Sequence, residues 1–218
     1  SKETFGTVGG PGVRSVLFLQ GCPMRCLYCH NPDTWASFGG EEMTVKDVLD
    51  DYEKYRPFLK DGGITLSGGE SLVQMDFVID LFEACKERNI HTCLDTCGVT
   101  FRDNDPELLK KFERLVEVTD VMMLDIKQVN PRQHNVLTGH TNEKIIKFLG
   151  FLGEWVVFKL CCIPDKRSKL LLIDTESTAG IAWHDRWQYA GIPGKAQNVF
   201  RHRVHVIKPF SFCDLRPL

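Results

Sequence analysis

The chain lacks any run of the ~18 apolar residues that would cross a bilayer as a helix, and no signal-peptide pattern opens it. It also lacks an excess of one charge: 27 Lys and Arg face 29 Asp and Glu, a net of −2. The basic footprint of a nucleic-acid binder is therefore missing. Together these absences lead us to expect a soluble, cytoplasmic protein that engages neither nucleic acid nor membrane. Cysteines are not scarce, but they do not pair off. There are nine, an odd number, and three fall within eight residues while none falls between residues 30 and 84. That distribution argues against a disulfide scaffold. No Ser/His/Asp or Cys/His arrangement of nucleophile and base presents itself. With 218 residues, 43% of them apolar, the chain is long enough for one medium domain with a sizeable core.

Short apolar runs recur through most of this length. RSVLFLQ (14–20), GITLSG (63–68), HTCLDT (91–96), VMMLDIK (121–127) and WVVFKLCCI (155–163) read as buried strands, starting 49, 28, 30 and 34 residues apart. Amphipathic helices are predicted over 44–60, 71–89 and 105–118, the first opened by Thr44 and Asp47 at capping-box spacing. Strands alternating with helices make an α/β fold with a parallel sheet. Five such units are too few for a closed eight-stranded barrel, so we expect a partial (β/α) barrel with outer helices over residues 1–165. Beyond that point the rhythm breaks. Residues 166–218 hold nine Lys and Arg against four Asp and Glu, leaving 18 against 25 before them, and only 203–210 reads as a strand. This C-terminal region is expected to be divergent.

The unusual residues sit at strand ends. After the first strand, Cys22, Cys26 and Cys29 form C-x3-C-x2-C. A structural zinc ion takes four protein ligands, most often as paired knuckles; here a fourth would have to come from a distant Cys or His. A cubane iron–sulfur cluster takes one thiolate per iron, and three cysteines leave one iron open to another ligand. We favour the cluster. The other six cysteines read as small buried hydrophobes. Gly68, Gly69 and Glu70 follow the second strand, Asp95 ends the third, and Asp125, Ile126 and Lys127 end the fourth. Side chains 125 and 127 share one face of their strand because strand side chains alternate. A charge buried there needs a partner.

These motifs carry a resemblance. The triplet with Tyr28 before its third cysteine resembles the signature of radical S-adenosylmethionine (SAM) enzymes. FGTVGGPGVRSVLFLQGCPMRCLYCHNPDTW (5–35), TLSGGE (65–70), IHTCLDTCG (90–98) and VTDVMMLDIKQ (118–128) resemble, in order, the pyruvate formate-lyase activating family of glycyl-radical-enzyme activases. The likeness covers about residues 4–155 and implies a partial barrel of the radical SAM type. It implies that Cys22, Cys26 and Cys29 hold a [4Fe–4S] cluster whose fourth iron is chelated by SAM. Reductive cleavage of SAM would yield a 5′-deoxyadenosyl radical that takes a hydrogen from a glycine of pyruvate formate-lyase. It implies Tyr28 and His30 near the adenine, Gly68 and Gly69 along the methionine end, and Glu70 accepting from its ammonium. Asp125, Ile126 and Lys127 would serve the ribose and carboxylate, and a monovalent cation would lie near Asp95, Thr96, Met123 and Asp125. A flavodoxin as reductant and a monomeric state are further expectations. The absence of cysteine from 30–84 matches the short form that lacks a ferredoxin-like insert. Cys97 stands where relatives often have Asn, and the family's late LPYH-like strand end is not found. Two alternatives stay open: a radical SAM enzyme acting on a small molecule, as carboxy-deazaguanine synthases do, and an iron–sulfur or zinc protein impaired by its C-terminal region.

Overall fold

The fold is taken from a computed structural model, which describes residues 1–153 apart from 8 and 60, and the backbone of 156–160. The expected C-terminal region 166–218, with its strand at 203–210, lies outside the described residues. Six strands form one sheet in chain order. The first, β1 (Lys2–Gly6), was not anticipated; it pairs antiparallel with β2 (Arg14–Leu19) and covers one edge of the sheet. Then β3 (Gly63–Gly68), β4 (His91–Thr96), β5 (Val121–Ile126) and β6 (Val156–Leu160) follow, each parallel to its predecessor. The five apolar runs thus became the five parallel strands.

Helices cover one side of that sheet. α1 (Val45–Tyr55), α2 (Met75–Glu87), α3 (Pro106–Val118), α4 (Pro131–Thr138) and α5 (Glu143–Leu152) occupy the crossovers. α1 stops at Tyr55, short of the expected 60, and passes into a 3-10 turn at Arg56–Phe58. Pro57 has no amide to donate and cannot continue the α-helical ladder. Residues 71–74 likewise form a 3-10 turn before α2 begins.

Strand alternation divides the chemistry. Leu17, Ile64, Leu66, Leu94, Met122, Leu124 and Ile126 point toward the helices and join the main core with Val48, Val78, Phe82 and Leu115. In that core Phe101, Phe112 and Phe148 form a triangle with ring centroids 5.0 Å apart on every side, a spacing at which aromatic pairs attract beyond simple burial. The residues between them, such as Ser67, Asp95 and Asp125, point to the opposite face. That face is where a site can be built.

The capping box at α1 forms as expected: the Asp47 amide donates to Thr44 Oγ1 (3.2 Å), and the Thr44 amide donates to the Asp47 carboxylate (2.9 Å). Thr44→Ala is expected to lower the urea-unfolding free energy by about 1 kcal/mol with no change in the site. A loss near zero would mean that solvent caps the helix equally well.

Candidate active site

A cavity of about 260 Å³ lies against the face of the sheet opposite the helices, at the C-terminal ends of the parallel strands. Its walls come from every strand-end loop singled out in the sequence. Cys22, Cys26, Cys29, Tyr28 and His30 line it from the loop after β2, Gly68 and Gly69 from the end of β3, Asp95 from β4, and Asp125 and Lys127 from β5. Thr96 and Cys97 line it too.

Three expected residues do not line the cavity: Ile126, Glu70 and Met123. Ile126 points to the helix side and is buried in the main core. The alternation that brings 125 and 127 inward sends 126 outward. Glu70 is fully buried behind the wall. Its Oε1 accepts from the Leu72 amide (3.0 Å) and the Thr96 hydroxyl (2.5 Å), and its Oε2 accepts from the Cys97 amide (2.8 Å) and thiol (2.7 Å). The carboxylate is thus occupied in tying the end of β3 to the end of β4. What β3 presents to the cavity is the Gly68–Gly69 backbone. Met123, a weaker cation candidate, is buried in β5.

On the strands, Ser67 donates to Asp95 Oδ2 (3.0 Å). Asp125 Oδ2 accepts from the Lys127 ammonium, an ion pair within one strand end. Asp125 Oδ1 is buried and has no partner among the described residues. Such an oxygen costs ~1–3 kcal/mol unless something donates to it, so this corner suits a ligand bearing a hydroxyl, an ammonium or a bound cation. The Tyr28 hydroxyl lies 3.5 Å from the Lys127 carbonyl, which joins the cysteine loop to β5.

The cysteine loop has no regular structure. Its one internal turn is the Cys29 amide donating to the Cys26 carbonyl (3.1 Å). Arg25 wraps it, donating from Nη1 to the Cys22 (2.6 Å) and Met24 (2.7 Å) carbonyls while lying 5.1 Å over the Trp35 ring. The three thiols are in no disulfide and pack with Met24, Cys97 and Val99 in a small apolar cluster. Burial pushes the Cys22 thiol up to about 11 and raises Cys26, where Lys127 pulls in the other direction. Among the described residues, no three His, Cys, Asp or Glu side chains converge tightly enough to hold a single metal ion. The three cysteines line one space, which fits a cluster with one thiolate per iron.

A family comparison agrees with this geometry. The model for the Radical SAM superfamily matches residues 16–154. The chain belongs to the radical SAM superfamily. Membership implies a [4Fe–4S] cluster and SAM as the cofactors, and the residues present fit both: three unpaired thiols facing one space, a glycine backbone, and an orphaned buried carboxylate oxygen beside them. The chain is 50% identical over 170 residues to the pyruvate formate-lyase-activating enzyme of Streptococcus mutans, covering 75% of this chain and 64% of that one. It is 49% identical over 156 residues to pyruvate formate-lyase 1-activating enzyme of Escherichia coli, covering 71% and 61%. It therefore spans somewhat under two thirds of those relatives' length. Among solved structures, Streptococcus suis SuiB bound to precursor peptide SuiA superposes with a TM-score of 0.51 at 15% identity, covering 66% of this chain and 31% of that one. That likeness speaks for the fold alone.

Some of what supports the site was not foreseen. Arg14 is fully buried at the start of β2, its guanidinium donating to Thr65 Oγ1 (2.6 Å) and to the carbonyls of Pro11 (2.9 Å), Ile64 (2.8 Å) and His91 (3.1 Å). It pins the loop before β2 to the starts of β3 and β4. An arginine opening an otherwise apolar strand was the available signal. His134, fully buried in α4, was missed as well.

His134 and His91 give the fold a pH dependence. Burial is the main force lowering both. For His134 it outweighs the hydrogen bond to the His140 carbonyl and the charge of Asp125, which raise it, and Lys127 and His140 add to the lowering; for His91, Arg14 and Lys86 add to burial against Asp120. Below pH 6.5 the unfolded chain therefore binds more protons than the folded one, and stability falls with pH. It is fully present above 6.5 and declines as pH drops toward the folded values. The urea midpoint is expected to be lower at pH 5.5 than at 7.5, with a smaller difference in His134→Asn. Equal midpoints would show that neither ring stays neutral on folding.

Proposed function

We propose that this chain carries the core of a glycyl-radical activase that acts on pyruvate formate-lyase. The observation that carries the reading is a three-thiol loop facing the same cavity as Gly68–Gly69, Asp95 and the Asp125–Lys127 pair, in a chain half identical to enzymes of that name. Held there, the cluster and SAM would supply the reducing electron and the hydrogen-abstracting chemistry directed at a glycine α-carbon of the partner.

The chain's own residues bind and orient. Cys22, Cys26 and Cys29 would hold three irons. The Gly68–Gly69 backbone would lie along the amino-acid end of SAM, with Lys127 suited by charge to its carboxylate and Asp125 Oδ1 free to accept from a sugar hydroxyl. Tyr28 and His30, which flank the third cysteine in sequence and line the same cavity, would lie near the adenine. A monovalent cation between Asp95 and Asp125 would balance two carboxylates that face one cavity. A flavodoxin-type reductant, a monomeric state and a cytoplasmic setting belong to the same reading. No helix of the described residues is long and apolar enough to cross a membrane.

The test is anaerobic reconstitution of the full chain with iron and sulfide, then reduction with SAM and pyruvate formate-lyase. The expected results are about four irons per chain, 5′-deoxyadenosine formation, and a glycyl electron-spin signal on the partner. Deoxyadenosine without a glycyl signal would sink the partner assignment, and stoichiometric zinc without cleavage would sink the enzyme.

A further inference from the structure

The cysteine loop does not hold its shape by its internal bonds alone. Its backbone between Pro23 and Leu27 is tied to a segment more than a hundred residues later. The Arg25 amide donates to the Thr138 carbonyl (2.8 Å), the Leu27 amide to the Leu137 carbonyl (2.9 Å), and His140 Nε2–H to the Pro23 carbonyl (3.0 Å). Those partners are the last turn of α4 and the reversal after it, where Gly139 takes φ +80° in the left-handed region that glycine tolerates.

Two buried side chains hold that reversal from inside. His134 Nδ1–H donates to the His140 carbonyl (2.6 Å). The Thr138 hydroxyl donates to the His134 carbonyl (2.8 Å) and accepts from the His140 amide (3.2 Å). Both side chains are fully buried, and the other ring nitrogen, His134 Nε2, has no partner among the described residues. A buried polar atom left unpaired is unfavourable, so an apolar residue would fill the space with less penalty. What the imidazole adds is the bond that fixes His140, and through His140 the loop.

We propose that His134, Thr138 and His140 are positioning residues for the cysteine loop, holding it in the conformation in which its three thiols face one cavity. They touch neither thiols nor substrate. The proposal rests on the activase reading only for what the loop holds, since the brace is made of the chain's own hydrogen bonds.

The experiment is amide hydrogen exchange on the full, iron-free chain, comparing the unaltered protein with Thr138→Val, Thr138→Ser and His140→Ala. In Thr138→Val the amides of Arg25 and Leu27 are expected to exchange about tenfold faster, the effect of one lost net hydrogen bond, while peptides from β3 and β4 are unchanged. Thr138→Ser, which keeps the hydroxyl, should restore the protection. After reconstitution, Thr138→Val should also lose iron to a chelator several-fold faster. If Thr138→Val loosens the whole fold, His140→Ala decides, because it removes a solvent-exposed bond to Pro23 outside the main core. Faster exchange confined to the loop supports the brace; unchanged loop exchange in His140→Ala overturns it. Loosening of 131–142 with an unaltered loop in Thr138→Val would also overturn it. Failure of the unaltered chain to take up iron would count against the activase and leave the exchange result standing.

Discussion

Cys26→Ala, reconstituted beside the unaltered chain, is expected to lose the stable four-iron cluster and with it reductive cleavage of SAM. Cys26 is the most buried of the three thiols and lies near Lys127. Its removal leaves one iron without a protein ligand in an apolar corner shared with Met24 and Val99. The fall in 5′-deoxyadenosine formation should exceed the roughly 10–100-fold that follows loss of an outer partner of a metal ligand. Iron and sulfide per chain give the second readout. Cys85→Ala is the control. That thiol is buried in α2, its ionisation pushed up to about 12 by burial. Its loss should cost about 1 kcal/mol of stability and leave the iron content unchanged. A Cys26→Ala protein with full iron and full cleavage would remove the triplet from the chemistry.

Gly68→Ala should do comparable damage by a different route. Gly68 has φ +113°, and a Cβ there would lie 2.4 Å from the Leu19 nitrogen and 2.6 Å from its oxygen. Both clashing atoms are backbone of β2, paired in register with Gly68 itself, so neither can turn aside as a side chain would. Backbone strain and overpacking together are expected to cost about 3 kcal/mol or more, read as a drop in the urea midpoint. Because Gly68 also lines the cavity, SAM binding measured on whatever fraction folds should weaken as well. A variant with an unchanged midpoint would mean that β2 and β3 separate freely at this end.

Most of the arrangement was readable from residues, and the gaps have physical causes. The period-two pattern of VMMLDIK places Asp125 and Lys127 together; followed one step further, it also places Ile126 in the core, against its inclusion in the site. The C-x3-C-x2-C spacing carries the loop because short spacing keeps thiols near each other whatever the surrounding fold. Glu70 was different. Its position at a strand end was legible, but the rotation of the turn that aims it at Thr96 and Cys97 depends on two strands 26 residues apart. β1 escaped because its five residues are mostly exposed and stand at an edge, giving no apolar run. α4 is short, yet it was bracketed by signals: Asn130 caps it, accepting from the amides of Arg132 (3.0 Å) and Gln133 (3.1 Å), Pro131 starts it and Gly139 ends it. α5 crowds its apolar residues too closely for a clear stripe. The brace between α4 and the cysteine loop is a contact over more than a hundred residues, and no local pattern encodes it.

The division of each strand into a helix face and a cavity face has a consequence for how this protein can vary. Chemistry and core occupy alternate letters of the same words, so they are locked in phase. One residue inserted into β5 would present Leu124 and Ile126 to the cavity and drive Asp125 and Lys127 into the aromatic interior, destroying both at once. Point substitutions can therefore tune either face alone, whereas changes of length are tolerable only between the strands. New partners would be gained there, by lengthening or shortening loops around a frame that cannot slip.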